Sequence, residues 1–167
     1  MITYLVISII IIAFSAIGIK AVIKERRHKR RQLGIAEAYE RFARQFKLAV
    51  DYCEFMSGRY IGLDRRNRKL VLLDHSRYDQ LEQCICLYQV GECKIVHEKD
   101  ESKNMKRVWL QLKNKRNNKL VRFCFYDQEF DPLVELASRV RKAIHWKTKV
   151  DIHKHPGNHR VEAEYVL

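Results

Sequence analysis

The chain has 167 residues, with 33 Lys and Arg against 20 Asp and Glu, and a formal net charge of +13. This length gives room for about one folded domain plus additional segments. Glycine and proline are scarce, aromatic residues are at an ordinary 10%, and no low-complexity tract is present, which excludes a mainly disordered chain.

The N-terminal segment is apolar. Ile2–Ile19 contains 18 residues without a charged side chain, near the lower limit for a helix that crosses about 30 Å of hydrocarbon. The bases follow this run, and no small-residue cleavage site ends it, so its order is the reverse of a secretory signal. A soluble core helix would not be apolar around its whole circumference. We therefore predict an uncleaved transmembrane helix over residues 1–23.

A basic juxtamembrane segment, residues 24–34, comes next. From Lys20 to Arg31 seven bases accompany one acid, a local charge of +6. Lys and Arg stay on the cytoplasmic side of a span, so we expect a single-pass protein of the inner or plasma membrane, with its N-terminus outside and its C-terminal domain cytoplasmic. We also expect anionic lipid head groups to contact a set of membrane-surface bases: Lys24, Arg26, Arg27, Lys29, Arg30 and Arg31.

The five cysteines are an odd number, and no pair has the spacing that presents two thiolates to one zinc ion. Cys84 and Cys86 would point to one face of a strand, which is most simply a core face. We predict buried, reduced cysteines in a reducing compartment and no metal site. The later histidines His153, His155 and His159 are interpreted as part of an ordinary polar tail, residues 151–167.

Residues 35–57 predict an amphipathic connector helix that ends at Gly58. Apolar residues recur there at alternating spacings of four and three, which draws one stripe down a helix. The stripe has two interpretations: packing on the chain's own domain, or self-association or docking of a partner helix. The second interpretation would use Tyr39, Phe42 and Phe46.

From Arg59 the hydrophobic period changes to that of strands. RYIGLD and KLVLLD flank the polar turn RRNR, and KRVWLQLK and KLVRFCFYD flank NKRNN, which predicts two hairpins. LEQCICLYQV and GECKIVHE add further strands. A last helix is predicted from Asp131 as N-cap and Pro132 as its first residue, and it carries Trp146. These elements give five or six antiparallel strands and one closing helix, an α+β class.

This pattern resembles the pleckstrin-homology-like (PH-like) superfold in the form found in bacterial membrane proteins. The resemblance covers roughly Arg59–Val150 and rests on the strand rhythm, the Tyr60–Asp64 strand with its basic hairpin, and the late Trp146. It implies a small antiparallel sheet or barrel over residues 58–150, closed by the C-terminal helix. Fold alone does not assign a function.

Some PH domains bind inositol phosphates through bases on the first hairpin, and two basic clusters are candidates for a similar role. Arg59 could join the first of these clusters. The candidate lipid- or phosphate-binding residues are Arg65, Arg66, Arg68 and Lys69 in the first cluster, and Lys113, Lys115, Arg116 and Lys119 in the second. Arginine in such a cluster can clamp a phosphate with two hydrogen bonds. Solvated hairpin turns are the alternative interpretation.

No catalytic motif is present: there is no G-x-S-x-G, P-loop or H-E-x-x-H. We expect a non-enzymatic protein without a cofactor, a membrane-anchored cytoplasmic interaction module that holds a protein partner or complex at the membrane. A sensor of anionic lipid or phosphate is the alternative. Nucleic acid is not an expected partner, because stacking aromatics are not interleaved with the bases.

Overall fold

The computed structural model describes residues 26, 29, 30, 32–76 and 80–155. Helix α1 covers residues 32–46. The predicted α+β class is confirmed, with two antiparallel sheets and a C-terminal helix. The other elements, in chain order, are β1 (Tyr52–Met56), β2 (Arg59–Asp64), β3 (Lys69–Asp74), β4 (Leu81–Cys86), β5 (Val90–Lys99), β6 (Met105–Asn114), β7 (Leu120–Asp127) and α2 (Leu136–His153).

The strands form two consecutive antiparallel meanders. One sheet has the order β1-β2-β3-β4 and the other has the order β5-β6-β7. The two predicted hairpins, β2–β3 and β6–β7, are confirmed, with Ile61 paired to Leu72 and Leu110 to Phe123. Within the described residues neither sheet closes into a barrel. The segment predicted as one strand over LEQCICLYQV is instead split, because a 3₁₀ turn at Leu87–Gln89 carries the chain from one sheet to the other.

The predicted connector helix over residues 35–57 is too long. Helix α1 ends at residue 46, Lys47 has a φ of 49°, and residues 52–56 form strand β1. Ser57 (φ 40°) and Gly58 (φ 80°) both lie in the left-handed region and join β1 to β2 as a two-residue hairpin. The folded unit therefore begins before residue 58, and it ends after residue 150, because α2 continues to His153.

The stripe on α1 packs on the chain's own sheet. Ile35 (2% exposed) and Ala38 (0%) form a small core cluster with Val71 and Leu73 of β3. Tyr39 and Phe42 are packed against the same cluster. Strand β3 is therefore covered on both faces, because Leu70 and Leu72 contribute to the main core. This packing favours the first of the two interpretations of the stripe.

The main core lies between the two sheets and α2. It contains Ile61 and Leu63 from the first sheet, Phe123 and Phe125 from the second, and Trp146 from α2. The indole Nε1 of Trp146 donates a hydrogen bond to Glu54 Oε2 of β1 at 3.0 Å, so a buried aromatic joins the helix to the edge of the first sheet.

The start of the last helix differs from the prediction. Asp131 is not its N-cap, because a 3₁₀ turn at Leu133–Glu135 precedes α2, which begins at Leu136. Asp131 is instead 4% exposed and accepts hydrogen bonds from Arg59 and from the backbone N–H of Asp127. Asp131 lies in the interior because the buried guanidinium of Arg59 requires a carboxylate partner there.

All five cysteines are free. Cys93 and Cys124 are buried as predicted, but Cys53 is exposed on β1, which corrects the prediction for that residue. Cys84 packs under α1 and not in the main core. Burial raises the pKa of the Cys84 thiol to about 11 and that of the Cys93 thiol to about 12, so both remain protonated at neutral pH.

Among the described residues, no helix is both long and apolar enough to cross a bilayer. The predicted span, residues 1–23, lies outside the described residues, and so does the part of the predicted tail after residue 155.

Candidate functional site

Two basic turns carry the predicted lipid- or phosphate-binding residues. The first turn, residues 65–68, joins β2 to β3, and the second turn, residues 115–119, joins β6 to β7. The first turn belongs to the second hairpin of the domain, because β1–β2 precedes it. The bases therefore do not lie on the first hairpin, where the resemblance placed them.

The bases of the first turn are in unequal surroundings. Arg66 is exposed. Arg65 contacts the carboxylate of Asp51 at 3.5 Å, and its guanidinium carbon lies 4.9 Å from the ring centre of Tyr52. Lys69 Nζ donates to the carbonyl oxygen of Phe46 at 3.1 Å, which ties this lysine to the end of α1. Arg68 is half-buried with a φ of 51°. Arg66 is consequently the base of this turn that is best placed to meet a partner.

The second turn is more open. Lys115, Arg116 and Lys119 are exposed, whereas Lys113 is half-buried in β6. The Asn114 side chain shapes the turn, because its Oδ1 accepts a hydrogen bond from the backbone N–H of Arg116 at 2.8 Å. Three positive side chains are therefore presented on a turn with a defined backbone.

The two turns meet at one end of the domain. The backbone N–H of Leu87 donates to Arg68 O at 2.8 Å, and the N–H of Lys115 donates to Gln89 O at 2.7 Å. Both turns therefore flank the 3₁₀ turn Leu87–Gln89. We call this region the basic end: residues 65–68, 87–89 and 115–119. Two apolar side chains are exposed beside its bases, Tyr88 (52%) and Leu120 (48%).

A cavity of about 130 Å³ opens next to the second turn. It lies where β4 faces the β6–β7 hairpin across the gap between the sheets, and Gln83, Ile85, Leu112 and Lys119 are among its lining residues. The basic end thus offers positive charge, exposed apolar surface and a shallow recess within one region.

A buried carboxylate holds the first turn in place. Asp64 accepts hydrogen bonds from Asn67 N (2.8 Å), Asn67 Nδ2 (2.7 Å) and the backbone N–H of Ala49 (2.8 Å). Burial by itself raises the pKa of this carboxyl, but the hydrogen bonds from Asn67 and Ala49 outweigh it, and the pKa of Asp64 is lowered. The turn and the end of α1 are therefore fastened to one ionised group.

The opposite end of the domain, where α1 begins, contains buried charge. Arg59 is 0% exposed; its Nη1 donates to Asp131 Oδ2 at 2.7 Å and its Nε to Ser76 Oγ at 3.2 Å. Arg139 of α2 lies 3.8 Å from the other Asp131 oxygen and donates to Ser57 Oγ at 3.0 Å. We call this region the entry end: residues 57–59, 75–76 and 128–135.

Arg59 is therefore not available to a ligand, and the prediction that it joins the first cluster is wrong. Burial alone lowers the pKa of Arg59, and the negative charges around it, including Asp131 and Asp74, outweigh that effect and raise it. The network joins β2 to the loop after β7 and was not predicted, because a sequence pattern does not show which arginine meets which distant carboxylate.

The other predicted site residues divide between the described part of the chain and the rest. Arg26, Lys29 and Arg30 are exposed and have helical backbone, whereas Lys24, Arg27 and Arg31 lie outside the described residues. Of the candidates for a partner helix, Phe46 lies with its ring centre 5.8 Å from that of Phe42 and 4.9 Å from Lys69 Nζ. In the part of the chain that the structure describes, no group of three or more His, Cys, Asp or Glu residues is placed to hold a metal ion.

Comparisons with protein-family models, with curated proteins and with solved structures give no match.

Proposed function

We propose that this chain is a single-pass membrane-anchored interaction module, with a PH-like cytoplasmic domain that holds an acidic protein partner at the inner or plasma membrane. The anchor in this proposal is the uncharged run Ile2–Ile19, and the bases after it orient the domain toward the cytoplasm. The N-terminus then lies outside. No catalytic step is part of the proposal.

The arrangement of the sheets supports the PH-like part of the proposal. A meander of four strands is followed by a meander of three strands and then by one helix, whose Trp146 is 2% exposed in the core between the sheets. That order agrees with the strand rhythm and the late tryptophan on which the resemblance rests.

The direction of α1 is the observation that carries the proposal. Its beginning lies at the entry end, where a side chain on Gly34 would come within 2.8 Å of His75 Nδ1. Its last turn lies at the basic end, where Phe46 O accepts the Lys69 hydrogen bond. Residues 32–46 span about 22 Å at 1.5 Å per residue. In this proposal the anchor joins the domain at the entry end, and the exposed bases of the two turns lie at the opposite end.

This separation favours a protein partner over the chain's own bilayer. Electrostatic attraction between exposed charges weakens over a Debye length of about 8 Å at physiological ionic strength. Bases about 22 Å further from the anchor than the entry end are poorly placed for that membrane, but they face the cytoplasm. Exposed Arg66, Lys115 and Arg116 would meet carboxylates of the partner, and Tyr88 and Leu120 would pack against its apolar side chains.

Binding of anionic lipid by the same end is the second candidate. The convergence of the two turns and the exposed Tyr88 beside them favour it, because aromatic and basic side chains together suit a membrane interface. It requires the domain to tilt so that the basic end reaches the bilayer, or to reach a second membrane.

A charge-reversal experiment tests the proposal. The full chain is solubilised from its native membranes with its partners, either unchanged or with Arg66→Glu, Lys115→Glu and Arg116→Glu together. The matched control reverses three exposed bases away from the basic end: Lys99→Glu, Lys103→Glu and Arg141→Glu. We expect mass spectrometry to find a protein that the control retains and the turn variant loses.

Two results would contradict the proposal. One is a set of bound proteins that is the same for both variants, and the other is vesicle binding by the basic end that accounts for all of the loss. A reporter fused after Leu167 tests the orientation separately, and activity of that reporter outside the cytoplasm would refute the predicted topology.

A further inference from the structure

The loop between β7 and α2 exposes a cluster of apolar side chains. Val134 is 87% exposed, Leu133 is 73% exposed and Phe130 is 36% exposed. Single exposed apolar residues are ordinary, but adjacent ones on one loop indicate a surface that is covered by something else.

The loop has a defined conformation. Asp131 is buried in its ion pair with Arg59, and Phe130 N donates to Asp127 O at 3.0 Å. Glu135 N donates to Pro132 O at 3.0 Å and closes the 3₁₀ turn on which Leu133 and Val134 stand. The apolar side chains are therefore held outward by the buried polar groups beneath them, and little ordering remains to be done when they bind.

This loop belongs to the entry end, at which α1 begins. Asp131 contacts Arg59, Arg59 contacts Ser76, and the neighbouring His75 lies against Gly34 of α1. The predicted span ends at residue 23, nine residues before residue 32, and nine extended residues reach about 30 Å at most. If the span is in the bilayer, the apolar loop is held near the membrane surface.

We infer that the loop 130–134 inserts Leu133 and Val134 into the interface of the membrane that holds the anchor, so that the entry end faces the lipid. This inference rests on the proposed anchor and adds an orientation of the domain to it. Lipid fits this surface because the side chains are aliphatic and the tether brings them to the bilayer at high effective concentration. A weak apolar contact between the loop and the lipid is sufficient for a tethered domain, although it would not bind a free protein to the membrane.

The test uses the full chain reconstituted in vesicles of phosphatidylcholine and phosphatidylserine with brominated acyl chains, which quench tryptophan that reaches them. One variant is Val134→Trp. The matched control is Leu120→Trp, which replaces another exposed aliphatic residue, beside the basic end. The native Trp109 and Trp146 give both variants the same background. We expect the fluorescence added at position 134 to shift to the blue and to be quenched severalfold more than that added at position 120.

Other outcomes would overturn the inference. Equal quenching at both positions, or stronger quenching at 120, means that the domain lies on its side or meets the lipid through its basic end. A blue shift at 134 without quenching means that a protein, or a second copy of this chain, covers the loop. No change at 134 means that the loop stays in water.

Flotation of the same samples separates this inference from the anchor. If the chain floats with the vesicles after treatment with alkaline carbonate but position 134 is not quenched, the anchor holds and the inference is wrong. If the chain does not float, the anchor is wrong and the inference is refuted with it. Equal thermal stability of the two tryptophan variants confirms that both are folded.

Discussion

The two ends of the domain use the same kind of residue in opposite ways. At the entry end, Arg59 is buried beside carboxylates, as is the neighbouring Arg139 of α2, and Asp131 lies between the two. At the basic end, Arg66 and Arg116 are exposed on turns. A buried guanidinium without a partner is strongly unfavourable, whereas an exposed one costs the fold almost nothing.

This difference separates structural charge from charge that is available for binding. The pairs at the entry end hold β2, the loop after β7 and the start of α2 together. Both arginines of this network, Arg59 and Arg139, are buried. The bases of the second turn do no comparable work in the fold. Their positive charge is therefore available to a partner, unlike the buried charge of Arg59.

The largest expected effect comes from breaking the buried pair. Arg59→Met leaves the carboxylate of Asp131 buried beside an apolar side chain, and removing one partner of such a pair costs about 3–5 kcal/mol. We expect the free energy of unfolding to fall by that amount in urea denaturation of a fragment that begins at residue 32, monitored by the fluorescence of its two tryptophans, Trp109 and Trp146. Arg66→Met is the control and should change it by less than about 0.5 kcal/mol.

Similar losses in these two variants would contradict the distinction between the ends. A small loss in Arg59→Met would mean that Asp131 pairs with another base, for example the Arg139 guanidinium 3.8 Å away, and that the prediction is wrong. If the loss is large, the double variant Arg59→Met with Asp131→Asn should recover part of it, because the unpaired carboxylate is then removed.

A second, smaller effect concerns the helix that connects the two ends. Ala38 is fully buried between α1 and β3, so Ala38→Glu would place a carboxylate there without a partner. Undocking of α1 from β3 would relieve that cost. We therefore expect the free energy of unfolding to fall by about 2–3 kcal/mol, which is comparable to the stabilisation from burying one large apolar side chain. Hydrogen exchange should then increase in residues 32–46 and remain slow in β6. Ala36→Glu, on the exposed face of α1, is the control.

The confirmed hairpins and the failed helix prediction show which signals in the sequence are strong. In β2–β3 and β6–β7, apolar alternation and a polar turn agree, so both hairpins follow from the sequence. In residues 47–57 Cys53 and Met56 fit a helical stripe, because they are three residues apart. In strand β1 the core face is instead formed by Tyr52 and Met56, and Cys53 lies on the other face. The Ser57-Gly58 dipeptide was the available signal for a turn, because glycine readily adopts the positive φ that a two-residue hairpin requires.

The candidate site shows the same limit. Its bases are visible in the sequence, but their meeting at one end depends on the 3₁₀ turn Leu87–Gln89, whose hydrogen bonds bridge segments about 20 and 26 residues away from it. The exposure of Tyr88 and the burial of Arg59 depend on the same long-range packing. Residue type alone did not distinguish the buried arginine from the exposed ones.

A third prediction concerns the carboxylate that fastens the first turn. Asp64→Asn replaces one acceptor oxygen by an NH₂ group that faces donors, and the unpaired donors should cost about 1–3 kcal/mol. The pKa of Asp64 is lowered in the folded state, so its contribution is present above its ordinary pKa of 3.8 and is lost as the pH falls through the lowered value. Urea denaturation between neutral and acidic pH should show a smaller acid-dependent loss in Asp64→Asn than in the unchanged fragment. Identical acid dependence would mean that Asp64 does not supply it.

The smallest expected effect is on the charge of the basic end itself. Arg66, Lys115 and Arg116 are exposed on the two turns of the basic end, and like charges repel even where each is solvated. Replacing all three by Ser should therefore raise the free energy of unfolding at low salt, by a few tenths of a kcal/mol and by no more than about 0.5 kcal/mol. At an ionic strength of about 1 M the Debye length falls to about 3 Å, and the difference between the variant and the unchanged fragment should vanish.

The pair of Arg59 and Asp131 is buried and is screened much less, so the loss of unfolding free energy in Arg59→Met should persist at the same salt concentration. If the triple Ser variant is destabilised by more than about 1 kcal/mol, the side chains of Arg66, Lys115 and Arg116 contribute to the stability of the fold. Their exposure would then no longer distinguish the basic end from the entry end.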